Sequence, residues 1–171
     1  HIIASGRPSV ELLIDILLAL GIAAILRGFV FTLVCVKGFS MSDTLKNGDR
    51  LFATRLDLIF AKPKRGQIVI CHYPDSRRKN YIKRVIGLPG DTLEISGGVT
   101  YINGAALLEP YVAHPTRRDF APVTLGDGEY FVMGDNRACS RDSRVVGPLG
   151  RRQIFAVARL RLWPRGGKMR L

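Results

Sequence analysis

The sequence predicts a mainly β fold: a body of antiparallel strands and irregular loops, preceded by one N-terminal membrane-spanning helix. Three observations carry that prediction. Between Val10 and Val36 the only formal charges are Glu11, Asp15 and Arg27, and the run from Ile16 to Leu26 has none. Beyond residue 36, short β-prone runs alternate with Gly, Pro, Asp and Asn turn signals. Helical periodicity fades over the same stretch, except around Leu56 to Phe60. The 171 residues are 47% hydrophobic and 23% charged, which suits one domain plus an anchoring segment and excludes a disordered chain. With 18 glycines and 9 prolines in no regular period, collagen-like and low-complexity architectures are excluded too.

Residues 1–9 read as a flank and 10–29 as the anchor. A helix from Val10 to Phe29 would be about 30 Å long, the thickness of a hydrocarbon core. Ser9 is placed to cap it, and Glu11 suits the positive end of its dipole. The absence of a basic stretch before it, and its length, argue against a removable signal peptide. A buried helix of a soluble protein is the alternative. Residues 30–171 form the body. Its expected strands are Arg50 to Thr54, Gln67 to His72, Tyr81 to Gly87, Thr92 to Ile95, Thr100 to Ile102, Glu129 to Met133 and Ile154 to Leu162, with a looped excursion over 104–128. Turns are expected at Asn47-Gly48-Asp49, Pro89-Gly90-Asp91, Gly97-Gly98, Asn103-Gly104 and Gly126-Asp127-Gly128.

The formal net charge is +12, and residues 1–36 contribute nothing to it, because Arg7 and Arg27 balance Glu11 and Asp15. The basic side chains cluster at Lys62, Lys64 and Arg65, at Arg77, Arg78 and Lys79, at Arg117 and Arg118, and from Arg151 to Arg170. Such spacing fits anionic lipid headgroups, a nucleic-acid backbone or a solvated basic surface; on an anchored domain, lipid is the simplest partner. Cys35, Cys71 and Cys139 are too few and too scattered for a disulfide scaffold or a Cys-x-x-Cys metal site, although one pair could bridge in an oxidising compartment.

Three segments carry candidate chemistry: Gly38 to Leu45, Tyr81 to Asp91, and Met133 to Arg137 continuing through Ser140 to Pro148. In the second, strand alternation puts Tyr81, Lys83 and Val85 on one face and Ile82, Arg84 and Ile86 on the other. A lysine flanked by Tyr and Val on a half-buried face can lose its charge. A free lysine, with a pKa near ~10.4, is neutral in only about 4 in 10,000 molecules at pH 7, and desolvation lowering the pKa by about two units would make it a competent base. Taken alone, Lys83 reads as an ordinary amphipathic strand lysine with its head in water. His72 and His114, the internal histidines, sit in no Gly-x-Ser-x-Gly or zinc setting.

Together the three segments resemble bacterial type I signal peptidases, membrane-anchored serine endopeptidases that use a Ser-Lys dyad. The resemblance covers most of the chain: an anchor, Ser40-Met41 with Thr44-Leu45 soon after, Lys83 to Asp91, then Gly134-Asp135-Asn136-Arg137 followed by Ser140, Asp142, Ser143 and Arg144. It implies that Ser40 is the nucleophile, Lys83 the general base and Ser140 the hydroxyl orienting the lysine amine. Asp142 and Arg144 would form a supporting ion pair, and Met41 would lie beside the substrate cleft. Gly38 would stand where many members carry a serine that completes the oxyanion hole. Asp43 departs from the family's usual proline, and Ala138-Cys139 replaces a common Asp-Asn pair. Were Asp43 close to Lys83, its charge would favour the ammonium form and oppose catalysis.

No metal or cofactor is implied. The implied substrates are secretory preproteins cleaved after small residues at −1 and −3, by a single-pass protein of the bacterial cytoplasmic membrane whose catalytic body faces outward. No specific nucleic acid is expected. A pilin-maturation or organellar presequence peptidase fits the same residues. From a different class, so does a catalytically silent basic module that binds membrane or nucleic acid.

Overall fold

The computed structural model of the chain describes residues 8–163, with side chains throughout except at 8, 9, 26–29, 77, 78 and 163. Residues 1–7 of the expected flank, and the basic side chains Arg77 and Arg78 and those beyond Trp163, therefore lie outside the described residues. Ser9, expected to cap the helix, instead lies within it, because the helix already begins at Pro8. Helix α1 (Pro8–Phe29) runs where the anchor is expected, with Glu11 in its first turn. Every side chain from 10 to 25 is exposed, so the helix is apolar all round and packs against nothing with them. Among the described residues no helix is long and apolar enough to cross a membrane.

After α1 the chain forms β1 (Phe31–Cys35), β2 (Arg50–Thr54), α2 (Leu56–Phe60), β3 (Ile68–Tyr73), β4 (Ser76–Gly87), β5 (Thr92–Ser96), β6 (Val99–Ile102), β7 (Ala105–Ala106), β8 (Phe120–Thr124), β9 (Glu129–Met133), α3 (Ser143–Val146), β10 (Leu149–Gly150) and β11 (Ile154–Trp163). Every pairing is antiparallel. One sheet has the order β1-β2-β11-β3-β4-β9-β10 and a smaller one the order β7-β6-β5-β8. The mainly β body is thus as the sequence predicts.

Two expectations need correction. Residues 104–128 are not wholly a loop, since β8 pairs with β5 and β7 with β6. Pro122 hides β8 from sequence reasoning, because proline removes a ladder donor; the strand tolerates it by lying at the edge of its sheet. Strand β1 is missed because Phe31 to Cys35 continues the apolar run of the helix before it, so no change of composition marks the boundary.

Alternation along β3 and β4 sorts the core. Ile68, Ile70 and Ile82 pack in one cluster with Met41, Leu45 and Leu51. Val69, Cys71 and Val85, with Tyr81, pack in another with Tyr130 and Val132. A third cluster, around Ile86, Leu93, Ile95, Leu125 and Phe131, joins the two sheets. Phe131 of β9 is fully buried and meets Phe120 of β8 edge-on at 5.3 Å between ring centroids.

The sheet also leaves two free strand edges near each other. Among the described residues β1 pairs with β2 alone, and β4 pairs with β9 only from Arg84 onward. The unpaired edge of β1 and residues 79–83 of β4 line a cleft of about 530 Å³. Phe131→Ala should cost about 3–5 kcal/mol, since it opens a cavity where the sheets meet; equilibrium urea unfolding monitored by circular dichroism measures the loss.

Candidate active site

Strand alternation gives the adjacent residues Lys83 and Arg84 of β4 opposite surroundings. Lys83 lies opposite Val69 of β3 in the ladder and shares the face of Tyr81 and Val85. It is 2% exposed. Burial lowers its pKa from the ordinary lysine value, against the pull of the Asp142 and Asp135 carboxylates, while the Arg144 charge acts in the same direction as burial. The amine Nζ stands 2.6 Å from the Ser40 hydroxyl, a residue 43 positions earlier in the chain.

Ser40 lies in a run of tight turns. The N–H of Ser42 donates to the Phe39 carbonyl, and those of Thr44 and Leu45 both donate to the carbonyl of Met41. Met41 and Leu45, four apart and both buried, pin this loop to the first core cluster. Residues 134–136 fasten it from the other side. The Asn136 N–H donates to the Ser40 carbonyl at 3.1 Å, and its side-chain amide donates to the Ser42 hydroxyl at 2.9 Å. The Thr44 hydroxyl donates to the Asp135 carboxylate. Gly134 makes this closeness possible: a Cβ there would stand 2.3 Å from both the Ser40 carbonyl oxygen and the Ser140 hydroxyl.

Below the loop, Arg84 and Asp135 form a bidentate pair with both side chains fully buried, at 2.9 Å from Nε and 2.7 Å from Nη2. Arg84 also donates to the Gly66 carbonyl and lies under the ring of Tyr111, 3.9 Å from its centroid. Its charge is therefore met on each side, as a buried guanidinium requires. Arg137 is held likewise by Glu109, Thr100 and the Gly134 carbonyl. Arg84, Asp135, Arg137 and Gly134 are scaffold residues that lie in the candidate segments but to which sequence reasoning assigned no individual role. Their signal is an arginine in an otherwise apolar strand and a Gly-Asp-Asn-Arg run that reads locally as an ordinary turn.

The other expected residues fare differently. Asp142 and Arg144 do form a bidentate ion pair, 2.8 Å at each contact. Burial pushes the Asp142 carboxyl up, but the Arg144 guanidinium and the Gly134 N–H hold it below the ordinary carboxylate value. The bond expected between Ser140 and the lysine amine is not made. The buried Ser140 Oγ has no hydrogen-bond partner of normal geometry, although the hydroxyl is near enough to Asp142 to favour its charged form.

Met41 borders the cleft, yet its side chain is core: its thioether accepts from the Asp135 N–H. Gly38 adopts φ 96°, a backbone conformation a serine would occupy only with strain, and its N–H donates to the Asn47 side chain. That donor is thus already engaged, whereas the Ser40 N–H donates to no group among the described residues. Asp43 does not oppose Lys83. Its carboxylate accepts instead from the N–H groups of Ala113 and His114 and contacts the His114 ring. All three cysteines are free, and burial pushes the Cys71 thiol up to about 12. No group of three or more His, Cys, Asp or Glu among the described residues is disposed to hold a metal ion.

Asp135→Ala would leave the Arg84 guanidinium buried without its carboxylate and should cost about 3–5 kcal/mol. Thermal and urea unfolding of the purified variant measure this directly.

The chain is similar to known proteins. Residues 9–163 match the family model described as signal peptidase, peptidase S26. Signal peptidase I of Bacillus licheniformis is 37% identical over 160 residues, covering 87% of this chain and 86% of its own length. Signal peptidase I S of Bacillus subtilis is 38% identical over 161 residues, with 87% and 86% covered. A crystal structure of a signal peptidase I from Enterococcus faecalis superposes with a TM-score of 0.51 at 34% identity, covering 56% of this chain and 96% of that one. The chain therefore belongs to the signal peptidase family, S26, and is a serine peptidase of the signal peptidase I type.

Proposed function

We propose that this signal peptidase cleaves secretory preproteins with Ser40 as nucleophile and Lys83 as general base. The observation that carries the reading is the 2.6 Å approach of a buried lysine amine to a serine hydroxyl at the floor of an open cleft. A neutral Lys83 accepts the Ser40 proton as Oγ attacks the scissile carbonyl. The ammonium so formed gives its proton to the leaving amine. A water then attacks the ester, with Lys83 taking its proton and returning it to Ser40, so the enzyme ends unchanged. The Ser40 N–H, which donates to no group among the described residues, is available to the developing oxyanion. Asp142 and Arg144 neutralise each other, so that neither acts on Lys83 as a lone charge.

The two free edges bounding the cleft suit a substrate in extended form, which gains main-chain hydrogen bonds as an added strand. Val34, Val36 and Ile82 give the cleft an apolar lining, which we read as receiving small apolar side chains at −1 and −3. Helix α1 is the proposed anchor. Its exposed apolar side chains on every side favour a lipid surround over water, which would hold the cleft beside the bilayer of the bacterial cytoplasmic membrane, on its outer side.

A purified preprotein ending its signal peptide in Ala-x-Ala should be cut by the intact chain. Ser40→Ala and Lys83→Met should each lose about a thousandfold or more in kcat. Because the neutral amine is the base, kcat/KM should rise with pH through an inflection below the 10.5 of an ordinary lysine. Wild-type turnover by either variant removes the dyad.

A further inference from the structure

We propose that Asp43 is a positioning residue for Ser40, working through a clamp that ties the nucleophile loop to the excursion between β7 and β8. The inference rests on the Ser-Lys reading above and adds to it a residue at which this chain departs from the family pattern.

The nucleophile loop is held from two directions. Ser40, Ser42 and Thr44 are bonded to Asp135 and Asn136, on one side. Asp43, between them, turns to the other side. Its carboxylate is 3% exposed, accepts from the Ala113 N–H at 2.8 Å and the His114 N–H at 3.2 Å, and lies 3.2 Å from His114 Nδ1. Two backbone donors converging on one oxygen make this an anchored contact, unlike a surface ion pair between two mobile side chains.

The segment that supplies those donors is itself fixed to the scaffold of the site. Glu109 holds Arg137, two residues beyond Asp135, and Tyr111 stacks on Arg84, the partner of Asp135. The Tyr111 hydroxyl also donates to Glu109. The contacts therefore close into a ring: from Ser40 to Asn136, along the chain to Arg137, across to Glu109, along to Ala113 and back through Asp43. A ring of this kind fixes a loop more tightly than either attachment alone, because slipping at one side strains the other. A base positioned 2.6 Å from its hydroxyl is sensitive to such slippage, since displacements near 1 Å can cost about a hundredfold in rate. A proline at this position would stiffen the loop from within by fixing φ. Asp43 does so from outside, by bonding.

The test uses the full chain and a fluorogenic peptide containing an Ala-x-Ala cleavage site. Asp43→Ala should lower kcat about tenfold, with KM within about twofold and an almost unchanged thermal midpoint. Asp43→Asn keeps a carbonyl oxygen for the two backbone donors and should recover most of kcat. Ala113→Pro deletes the shortest bond without touching the loop and should lower kcat about threefold. Wild-type kcat in both Asp43→Ala and Ala113→Pro overturns the clamp, as does a loss in Asp43→Ala that Asp43→Asn fails to restore. Ser40→Ala separates the two claims. If it is inactive while the clamp variants are unimpaired, only the clamp fails; if it is active, the dyad reading fails with it.

Discussion

Keeping a primary amine out of water disfavours its charged form by about 1.4 kcal/mol for each unit its pKa falls. The rest of the structure is arranged around that constraint at Lys83. A solvated lysine this close to a serine would be an ammonium and could accept nothing. Burial on the face of β4 shared with Tyr81 and Val85 shifts the balance toward the free amine. The carboxylates of Asp142 and Asp135 pull the other way, and the structure answers each with an arginine: Arg144 for the first and Arg84 for the second. Electrostatic neutrality around the amine is thus built in pairs.

The same pairs serve as mechanical parts. Arg84 leaves the next position of the same strand toward the opposite face, so the strand that carries Lys83 also anchors Asp135 and, through it, the loop that carries Ser40. Gly134 lets the backbones of the two segments approach to a distance no side chain would permit. Lys83 and Ser40 are therefore located by one sheet and one close crossing. The arrangement suits a reaction whose rate depends on holding two atoms in place rather than on moving them.

Much of this was legible in the chain, for reasons that can be named. Period two along Tyr81 to Gly87 places Lys83 on the face of Tyr81 and Val85, although it does not by itself bury the amine. Asn-Gly and Pro-Gly-Asp runs mark turns through their φ requirements, and Leu56 to Phe60 is helical as its pattern suggests. What stayed hidden is non-local. Strand β1 merges with the apolar helix before it, and β8 carries a proline tolerated only because that strand lies at an edge. Nothing near Ser140 in the sequence tells that its hydroxyl makes no bond to the Lys83 amine. The charge on Asp43 looked like a threat to Lys83 because its donors, Ala113 and His114, lie some seventy residues away. Pairings such as Arg137 with Glu109 need the folded topology before either residue acquires meaning.

The central claim is that burial against the Ser40 hydroxyl makes the Lys83 amine lose its proton more readily than an ordinary lysine. Nuclear magnetic resonance of the chain labelled with ¹³C and ¹⁵N at lysine, with Lys83→Arg to assign the signal, reads that charge directly as pH is raised. The account predicts one lysine titrating clearly below the others, and a shift of its midpoint in Ser40→Ala. A Lys83 signal that titrates with the surface lysines, indifferent to Ser40, would contradict it.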